Sequence, residues 1–340
     1  MKILYILPGF DEGGAEFHVL HLIRELAGKG HTITLASGGG KLERELPEGV
    51  SVIHLPVWRK NVVTILYSAV RLARLSKVFH WDIIHAHSRV PAWAAWIVSK
   101  LTRTPWLMTA HSIYSHNPGL IPLKHADGLI CVSEAVKHNL SDAGCLPERA
   151  TIIPNGITPP KFTHMYSGEA VRFLFVGRLT RLKGLDVVLQ ALSELCSYVW
   201  TLDVLGEGSQ RAELEELSEG LGLHERVHFR GAVSNDNVRE FMSESSCLLF
   251  PSHSEGMGLV VLEALSIGLP VIASDLEALR EFAEGELVPA GDSEKWREAI
   301  RAFLDSGTAS HLTPDKIITV KEMACRTEKF YSLFTPASCS

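Results

Sequence analysis

The sequence predicts an α/β protein built from two Rossmann-like, doubly wound parallel-sheet domains that face an interdomain cleft. Short apolar strands alternate with amphipathic helices along most of the chain, a pattern typical of parallel sheets. The length of 340 residues also exceeds a single ordinary core of about 100–200 residues. Two domains of the same class are therefore the simplest architecture.

The first half opens with a strand, a helix and a second strand. The apolar positions of the helix recur every three or four residues, and Gly28 to Gly30 end it. The stretch that begins at Ile152 holds three prolines (Pro154, Pro159 and Pro160) and no clear period, which predicts a first domain over residues 1–165. The predicted elements are the helix Ala15–Lys29 and the strands Ile3–Leu7, Thr32–Ala36, Ile83–His85, Trp106–Thr109 and Gly128–Val132.

The alternation resumes at Phe173–Val176 and predicts a second domain over residues 166–315. Its predicted helices are Leu185–Cys196, Gln210–Leu221, Asn237–Glu244 and Leu259–Ile267, and its predicted strands are Thr201–Leu205, Val227–Phe229, Cys247–Phe250 and Pro270–Ala273. The last amphipathic stretch, Val320–Phe334, predicts a closing helix within residues 316–340 that packs back on the first domain. Open parallel sheets bind ligands beyond the carboxyl ends of their strands, so we expect the functional site there.

Composition excludes several classes of protein. Hydrophobic residues make up 46% of the chain and charged residues 21%, which excludes a disordered or fibrous protein. The longest uncharged apolar run, Val90–Ser99, is about half a bilayer span, so we expect neither a membrane span nor a cleavable signal. The six cysteines are scattered without a CxxC pair, which favours a cytoplasmic protein without a zinc site or disulfide framework.

Charge is distributed unevenly. Residues 1–165 carry a net charge of +5 and the remainder −11. The window from residue 49 to residue 126 holds nine bases, one acid (Asp82) and five of the seven tryptophans. Such a window suits an anionic inner-membrane surface, which predicts a peripheral protein on the cytoplasmic face of the membrane; ordinary helix packing is the alternative. We expect no nucleic-acid partner.

One segment, Ser252–Leu265, joins a predicted strand to a predicted helix. Gly256 and Gly258 let a ligand approach the backbone, and the start of the helix offers free N–H groups to an anion. Glu255 and Glu263 lie eight positions apart on either side of these glycines. Glu263 stands within an apolar run where an unpartnered carboxylate is costly, so we expect both acids to contact a ligand.

This Glu-x7-Glu spacing, within PSHSEGMGLVVLEALSIGLPVIAS, resembles the signature of the retaining glycosyltransferases of family 4, which have the GT-B fold. Further matches follow in order along most of the chain. They are EGGAE at 12–16, TAHS at 109–112, CVSEAVK at 131–137, IIPNGI at 152–157, FVGRLTRLKGLD at 175–186, VLGEGSQRAELE at 204–215 and VHFRGAV at 227–233.

The resemblance implies a role for each matched residue. Arg178 and Lys183 match the pair that neutralises the donor diphosphate, and Glu263 matches the ligand of the ribose hydroxyls. Glu255 and the backbone of Gly256, Met257, Gly258 and Leu259 match the contacts to the donor sugar, with Glu255 near the reacting carbon. Gly13 and Gly14 match the glycine loop of the first domain, and His111 matches the histidine at the transferred sugar. The backbone from Gly231 to Val233 matches the contacts to the nucleotide base.

The implied function is a retaining hexosyltransferase that moves a hexose from a nucleoside-diphosphate sugar, with UDP and GDP both open, to a hydroxyl of a glycan or glycolipid. The chain contains no Asp-x-Asp pair, so we expect no divalent metal and no other cofactor. The implied pathway is cell-envelope polysaccharide synthesis, of lipopolysaccharide or exopolysaccharide.

Other interpretations remain open at this point. A non-catalytic nucleotide-sugar-binding protein or a GT-B epimerase would share the architecture. An NAD-dependent oxidoreductase would use Gly206-Glu207-Gly208, although Arg211 occupies the place of the third glycine. His85-Ala86-His87 could hold a metal ion, but no Cys or Asp ligand spacing accompanies it, which favours a strand end lining the cleft.

Overall fold

A computed structural model describes residues 1–158, 170–307, 313–314 and 317–335. The chain forms two compact units, one comprising Met1–Thr158 and Ile318–Ser340 and the other Pro159–Ile317. The predicted domain borders at 165/166 and 315/316 lie outside the described residues. None of the helices in the described ranges combines the length and the apolar composition needed to cross a bilayer.

The N-terminal unit is built on a parallel sheet of seven strands in the order β3-β2-β1-β4-β5-β6-β7. The strands are β1 (Lys2–Ile6), β2 (Thr32–Ser37), β3 (Ser51–His54), β4 (Ile83–His87), β5 (Trp106–Ala110), β6 (Gly128–Cys131) and β7 (Ala150–Ile152). Strands β1, β4, β5 and β6 are buried almost throughout, as expected of a parallel sheet covered on both faces.

The helices of this unit comprise those that connect its strands and one that comes from the end of the chain. They are α1 (Gly14–Gly28), α2 (Val62–Phe79), α3 (Arg89–Thr102) and α4 (Glu134–Asp142), with 3₁₀ turns at Lys41–Glu45 and Pro118–His125. The closing helix, Val320–Tyr331, returns from the end of the chain and packs against α1. Its Tyr331 is fully buried, and its hydroxyl lies 3.0 Å from that of Tyr5 and 2.5 Å from Nδ1 of His85.

The second unit repeats the architecture with five parallel strands in the order β10-β9-β8-β11-β12. The strands are β8 (Val171–Val176), β9 (Trp200–Leu205), β10 (Val227–Gly231), β11 (Cys247–Phe250) and β12 (Val271–Ala273). The two-residue strands β13 (Ala283–Glu284) and β14 (Thr313–Pro314) pair antiparallel outside this sheet.

The helices of the second unit cover both faces of its sheet. They are α5 (Leu185–Ser193), α6 (Arg211–Gly220), α7 (Asn235–Glu244), α8 (Leu259–Ile267), α9 (Glu277–Arg280) and α10 (Ser293–Ser306), which makes the closing helix α11; a 3₁₀ turn spans Arg181–Lys183. Along β8, Phe173 and Phe175 join a core with α5, α6 and α10, whereas Leu174 joins a core with α7 and α8. This period of two follows from the pleat of the strand.

Two sheets of parallel strands with helices on both faces confirm the predicted α/β, doubly wound class. The sequence pattern did not predict α2, α3, α4 or α10, and it ended β4 at His85 although the strand continues to His87.

Replacing Tyr331 by Phe should destabilise the N-terminal unit. The change removes a hydroxyl and leaves the Tyr5 hydroxyl and Nδ1 of His85 buried without their partner. We expect the free energy of unfolding to fall by about 1–3 kcal/mol in urea titrations. The exposed Tyr67→Phe is the matched control and should change it by less than about 0.5 kcal/mol. Equal stability of the two variants would contradict the role of Tyr331.

Candidate functional site

The first group of candidate residues lies at the carboxyl edge of the second sheet. Strand order reverses there between β8 and β11, because β9 and β10 follow on one side and β12 on the other. The loop after β8 carries Arg178 and Lys183, and the loop after β11 carries Glu255. These residues therefore flank the switch point at which open parallel sheets bind ligands.

Close backbone packing fixes these loops to one another. Gly206 has φ +139°, and a Cβ placed on it would lie 1.9 Å from the carbonyl oxygen of Gly177. Gly184 has φ +63°, and a Cβ placed on it would lie 2.2 Å from the carbonyl oxygen of Pro251. The amide of His253 donates to the carbonyl of Leu182 at 2.8 Å. Glycines thus allow the loops after β8, β9 and β11 to touch without intervening side chains.

Lys183 and Glu255 form an ion pair in this edge. Their side chains are 21% and 14% exposed, and the Lys183 ammonium also lies 5.5 Å from the centroid of the Phe250 ring. Arg178 is exposed and, within the described ranges, makes no ion pair or side-chain hydrogen bond. The edge therefore presents one unpaired guanidinium beside an ammonium whose counter-ion is an internal carboxylate.

Glu263 lies in the second turn of α8, which begins after Gly258 in the left-handed region at φ +75°. Burial raises the pKa of its carboxyl to about 7, and the charge of Arg239 only partly opposes this. At neutral pH the side chain is therefore close to its titration midpoint, poised to ionise when a ligand supplies hydrogen bonds. The first turn of α8, at Leu259, also leaves backbone N–H groups without intrahelical acceptors.

Gly231 ends β10 with φ +77°, and its carbonyl oxygen accepts a hydrogen bond from the amide of Gly206 at 2.8 Å. Val233 follows in the loop that leads to α7 and is half-buried. The segment from 231 to 233 thus continues the same edge beyond β9.

The second group lies at the carboxyl edge of the N-terminal sheet, where strand order reverses between β1 and β4. Gly13 and Gly14 follow β1 at the start of α1, His87 ends β4, and His111 follows β5 directly. His18, on α1, packs over the same place with its ring centroid 4.7 Å from that of His111. The switch point of this unit is therefore surrounded by glycine backbone and imidazole.

A hydrogen bond joins two of these imidazoles, and the His18 ring packs against both. Nδ1 of His87 and Nε2 of His111 lie 2.9 Å apart, a distance at which one N–H donates to the other nitrogen. One nitrogen each of His18, His87 and His111 lies within 4.8 Å of the others. Nδ1 of His111 and Nε2 of His87 are buried and have no hydrogen-bond partner among the residues that the structure describes. Each of these two atoms therefore keeps an unused hydrogen-bonding position.

Burial keeps the imidazoles neutral. It lowers the pKa of His111 to about 3 and the pKa values of His18, His85 and His87 well below their usual value; the neighbouring imidazoles add to the effect. A neutral imidazole donates one hydrogen bond and accepts another, but it supplies no positive charge. The histidine group of the N-terminal edge is thus uncharged, whereas the C-terminal edge carries an ion pair.

The two histidines of the predicted His85-Ala86-His87 segment have different surroundings. His85 is held by the hydroxyls of Tyr331 and Thr109, at 2.5 and 2.8 Å, whereas His87 joins His18 and His111. These last three side chains could hold a metal ion as neutral nitrogen ligands, a set that the sequence did not predict.

Two residues of this edge, His18 and Ser88, were not predicted from the sequence, and His87 was predicted only as part of a strand end. His18 follows the glycine loop by one helical turn, a signal available in the sequence. Ser88, next to His87, has φ +87°, a conformation that costs non-glycine residues energy and that clusters at functional sites. That strain could not have been seen in the sequence.

Comparisons with known proteins bear on this geometry. The model of the family 4 glycosyltransferases matches residues 12–160, and that of the group 1 glycosyl transferases matches residues 164–316. One human subunit of the phosphatidylinositol N-acetylglucosaminyltransferase is 30% identical over 94% of this chain and 73% of its own length. The D-inositol 3-phosphate glycosyltransferase of Acidothermus cellulolyticus is 26% identical over 90% of this chain and 81% of its own.

This chain belongs to the family 4 glycosyltransferases.

Among solved structures, Anabaena HepE in complex with UDP and glucose superposes with a TM-score of 0.82 at 20% identity, over 98% of this chain and all of that one. The predicted family and the predicted GT-B fold are confirmed. The family match excludes the alternative of an NAD-dependent oxidoreductase. Gly206 and Gly208 instead leave room for the backbone of the neighbouring 177–179 loop.

The buried imidazoles predict an acid-sensitive fold. Their pKa values are lower in the folded protein than the usual 6.5, so their stabilising contribution is complete above pH 6.5 and is lost as the pH falls below it. One pH unit below 6.5, each such histidine should lower the free energy of unfolding by roughly 1.4 kcal/mol. Urea titrations at several pH values measure this slope.

The exposed His224 offers a control, since His224→Gln should leave the slope unchanged. If the free energy of unfolding does not change between about pH 7.5 and about pH 5.5, the pKa values of these imidazoles are not lowered in the folded protein and the prediction is wrong.

Proposed function

We propose that this glycosyltransferase moves a hexose, with retention of configuration and without a metal ion, from a nucleoside-diphosphate sugar to a hydroxyl of a glycan or glycolipid. The observation that carries the proposal is the gathering of Arg178, Lys183, Glu255 and Glu263 along one sheet edge, beside the start of α8. That edge combines cations for a diphosphate with carboxylates for sugar hydroxyls.

The diphosphate would bind at Arg178 and Lys183. Arg178 carries an uncompensated charge, and Lys183 would exchange its internal partner Glu255 for phosphate oxygens. Positive charge at this position stabilises the diphosphate as the bond to the sugar breaks and its negative charge grows. The exchange also releases Glu255 to accept hydrogen bonds from the hydroxyls of the sugar.

The nucleoside would bind farther along the same edge. Glu263 would accept hydrogen bonds from the 2′- and 3′-hydroxyls of the ribose, which favours its ionised form. Backbone groups from Gly231 to Val233 would contact the base, and those of Gly256, Met257, Gly258 and Leu259 would contact the sugar. Because backbone groups recognise shape more than identity, UDP and GDP both remain candidates.

The N-terminal unit would contribute Gly13, Gly14 and His111. Without side chains, the two glycines leave space for the diphosphate and sugar. His111, being neutral, would hydrogen-bond a sugar hydroxyl or the departing oxygen rather than neutralise charge.

The reaction would proceed on one face of the sugar. The bond from the anomeric carbon to the phosphate oxygen breaks, the acceptor oxygen bonds to that carbon from the same side, and the acceptor proton passes to the leaving phosphate. In this proposal no protein base takes part, since a pKa lowered to about 3 makes His111 a weak proton acceptor.

We further propose that the His18, His87 and His111 group serves hydrogen bonding, through the His87–His111 contact, and is not a metal centre. The contact between His87 and His111 already uses one nitrogen of each. Within the described part of the chain, no carboxylate belongs to the group to offset the charge of a divalent ion in this buried place.

The acceptor is proposed to be a glycan or lipid-linked hydroxyl used in cell-envelope polysaccharide synthesis, of lipopolysaccharide or exopolysaccharide. Two relatives carry inositol compounds in their names, one of them phosphatidylinositol, which supports a polyol or lipid-linked acceptor. The basic window from 49 to 126 supports a cytoplasmic, peripheral protein on an anionic inner-membrane surface.

A donor panel tests the proposal. Thermal shift and donor hydrolysis are measured with UDP, GDP, ADP, NAD and their common sugar conjugates, each with and without EDTA. We expect one nucleoside diphosphate to stabilise the protein and one conjugate to be hydrolysed slowly, equally in EDTA. Stabilisation without hydrolysis or transfer would favour a non-catalytic binder, and activity abolished by EDTA and restored by zinc would favour the histidine metal centre.

Arg178→Ala and Lys183→Ala should each lower turnover by about 10²–10³-fold, since each removes charge that stabilises the departing diphosphate. Steady-state transfer or donor hydrolysis measures the effect. Arg181, an exposed base of the same loop, provides the control Arg181→Ala, which should retain nearly full turnover. Similar rates for all three variants would refute the diphosphate assignment.

Nucleotide binding should depend on the ionisation of Glu263. Its pKa of about 7 in the free protein means that most carboxyls are protonated at pH 6 and most are ionised at pH 8, so affinity should rise about tenfold between these approximate settings. Titration calorimetry compares nucleotide binding by the parent protein and by Glu263→Gln. The variant keeps every other titrating group of the protein, and the phosphate of the nucleotide is the same in both experiments. The same pH dependence in both proteins would exclude Glu263 as the ribose ligand.

A further inference from the structure

One helix of the N-terminal unit exposes an apolar face that its own fold does not use. Helix α2 packs against α3 through the side that holds Ser68, Ala69 and Leu72, its buried residues. On the other side Val62 and Val63 are 71% and 73% exposed. The exposed large apolar side chains of this region are Trp58, Val62, Val63, Leu66, Tyr67, Val70 and Val78.

These side chains share one face of the helix. Positions 63, 66, 67 and 70 recur at intervals of three and four residues, which places them along a single stripe. Trp58 is exposed just before the helix, and the Arg59 guanidinium lies 5.5 Å from the centroid of its ring. We name Trp58–Asn61 together with the exposed face of α2 the α2 surface.

The charge of the α2 surface is all of one sign. Arg59, Lys60, Arg71, Arg74 and Lys77 are its bases, and the segment from 58 to 79 contains no acid. The apolar side chains dominate the first half of the helix, and the bases Arg71, Arg74 and Lys77 follow in the second half. An apolar stripe beside bases is the composition of helices that lie in the plane of an anionic membrane interface.

The rest of the basic window behaves differently. Trp81 donates to Oγ1 of Thr34 at 2.9 Å, Trp106 donates to the carbonyl of His125 at 3.2 Å, and the Trp96 ring stacks on His125. Trp81 and Trp106 are buried, so these tryptophans serve the internal packing of the unit. Of the predicted membrane-facing window 49–126, Trp58 and α2 are thus the part that we assign to membrane contact.

We propose that the α2 surface docks on an anionic lipid bilayer, with the apolar stripe between the headgroups and the bases against their phosphates. This deepens the proposed function, because it names the surface that brings the site to a lipid-linked acceptor, and it rests on that function only for the choice of acceptor. Charge favours lipid as the occupant, since two copies of a wholly basic face repel each other. Trp58 and Tyr67 carry the amphipathic rings that headgroup regions accommodate.

Vesicle co-sedimentation with the full chain tests the proposal. Vesicles of phosphatidylcholine with about 30 mol% phosphatidylglycerol should bind the protein, and pure phosphatidylcholine should bind it far less. Binding should fall between about 50 and about 300 mM salt, because screening weakens the charge attraction.

Two double variants separate the contributions. Arg71→Gln/Arg74→Gln should weaken partitioning by roughly thirtyfold, since each base near such a surface contributes about fivefold. Val63→Gln/Leu66→Gln should weaken it by at least about tenfold and leave the salt dependence in place. The controls are Lys100→Gln/Lys124→Gln, which removes two exposed bases of the same window, and Val199→Gln/Leu333→Gln, which removes two exposed apolar side chains elsewhere; both should bind like the parent.

Other outcomes would overturn the proposal. Equal binding to neutral and anionic vesicles, or equal binding by the α2 variants and their controls, would do so. A concentration-dependent dimer in sedimentation equilibrium that Val63→Gln/Leu66→Gln converts to a monomer would make this face a contact between two copies instead. Vesicle binding requires neither donor nor acceptor, so its loss with donor hydrolysis intact rejects only the docking surface, and lost hydrolysis with intact vesicle binding rejects only the proposed function.

Discussion

Both units depend on one constraint of parallel sheets, that all strands deliver their following loops to the same edge and that loops diverge where strand order reverses. In the second unit that point lies between β8 and β11, and Lys183 and Glu255 emerge on its two sides. Gly184 and Gly206 then let the loops touch through backbone alone, which brings the bases of these side chains close together. In the N-terminal unit the same reversal between β1 and β4 brings the glycine loop beside His87.

Desolvation affects the groups at the two edges differently. Burial removes the charge of every imidazole in the N-terminal group, which leaves hydrogen bonding as its chemistry. In the second unit Lys183 and Glu255 form an ion pair whose charges offset each other. Glu263 makes no ion pair with a described residue, and its carboxyl is balanced near pH 7. A ligand that carries both phosphate and hydroxyls would offer partners to Lys183, Glu255 and Glu263 together.

The sequence predicted most of the strands, because runs such as Phe173–Val176 are short and apolar and need no partner to be recognised, but several predicted ends differ from the observed ones by one or two residues. Helices α2 and α3 escaped prediction since their exposed faces carry Val63, Leu66 and Leu101, which blur the amphipathic period. The glycines and acids of the Glu-x7-Glu segment were found through their spacing. The histidine group was not, because His18, His87 and His111 lie on three separate elements that only the fold brings together.

The exposed apolar face of α2 has a cost that the fold does not offset, since a contiguous apolar patch with no acids invites association. Its position in the topology suggests why such a face is kept. Helix α2 is the crossover between β3 and β4, and β4 is a five-residue strand that ends at His87. One short, fully buried strand therefore connects the helix rigidly to the edge where the histidines lie. A surface that holds α2 also sets the orientation of that edge, so docking and the presentation of the acceptor would follow from the same crossover.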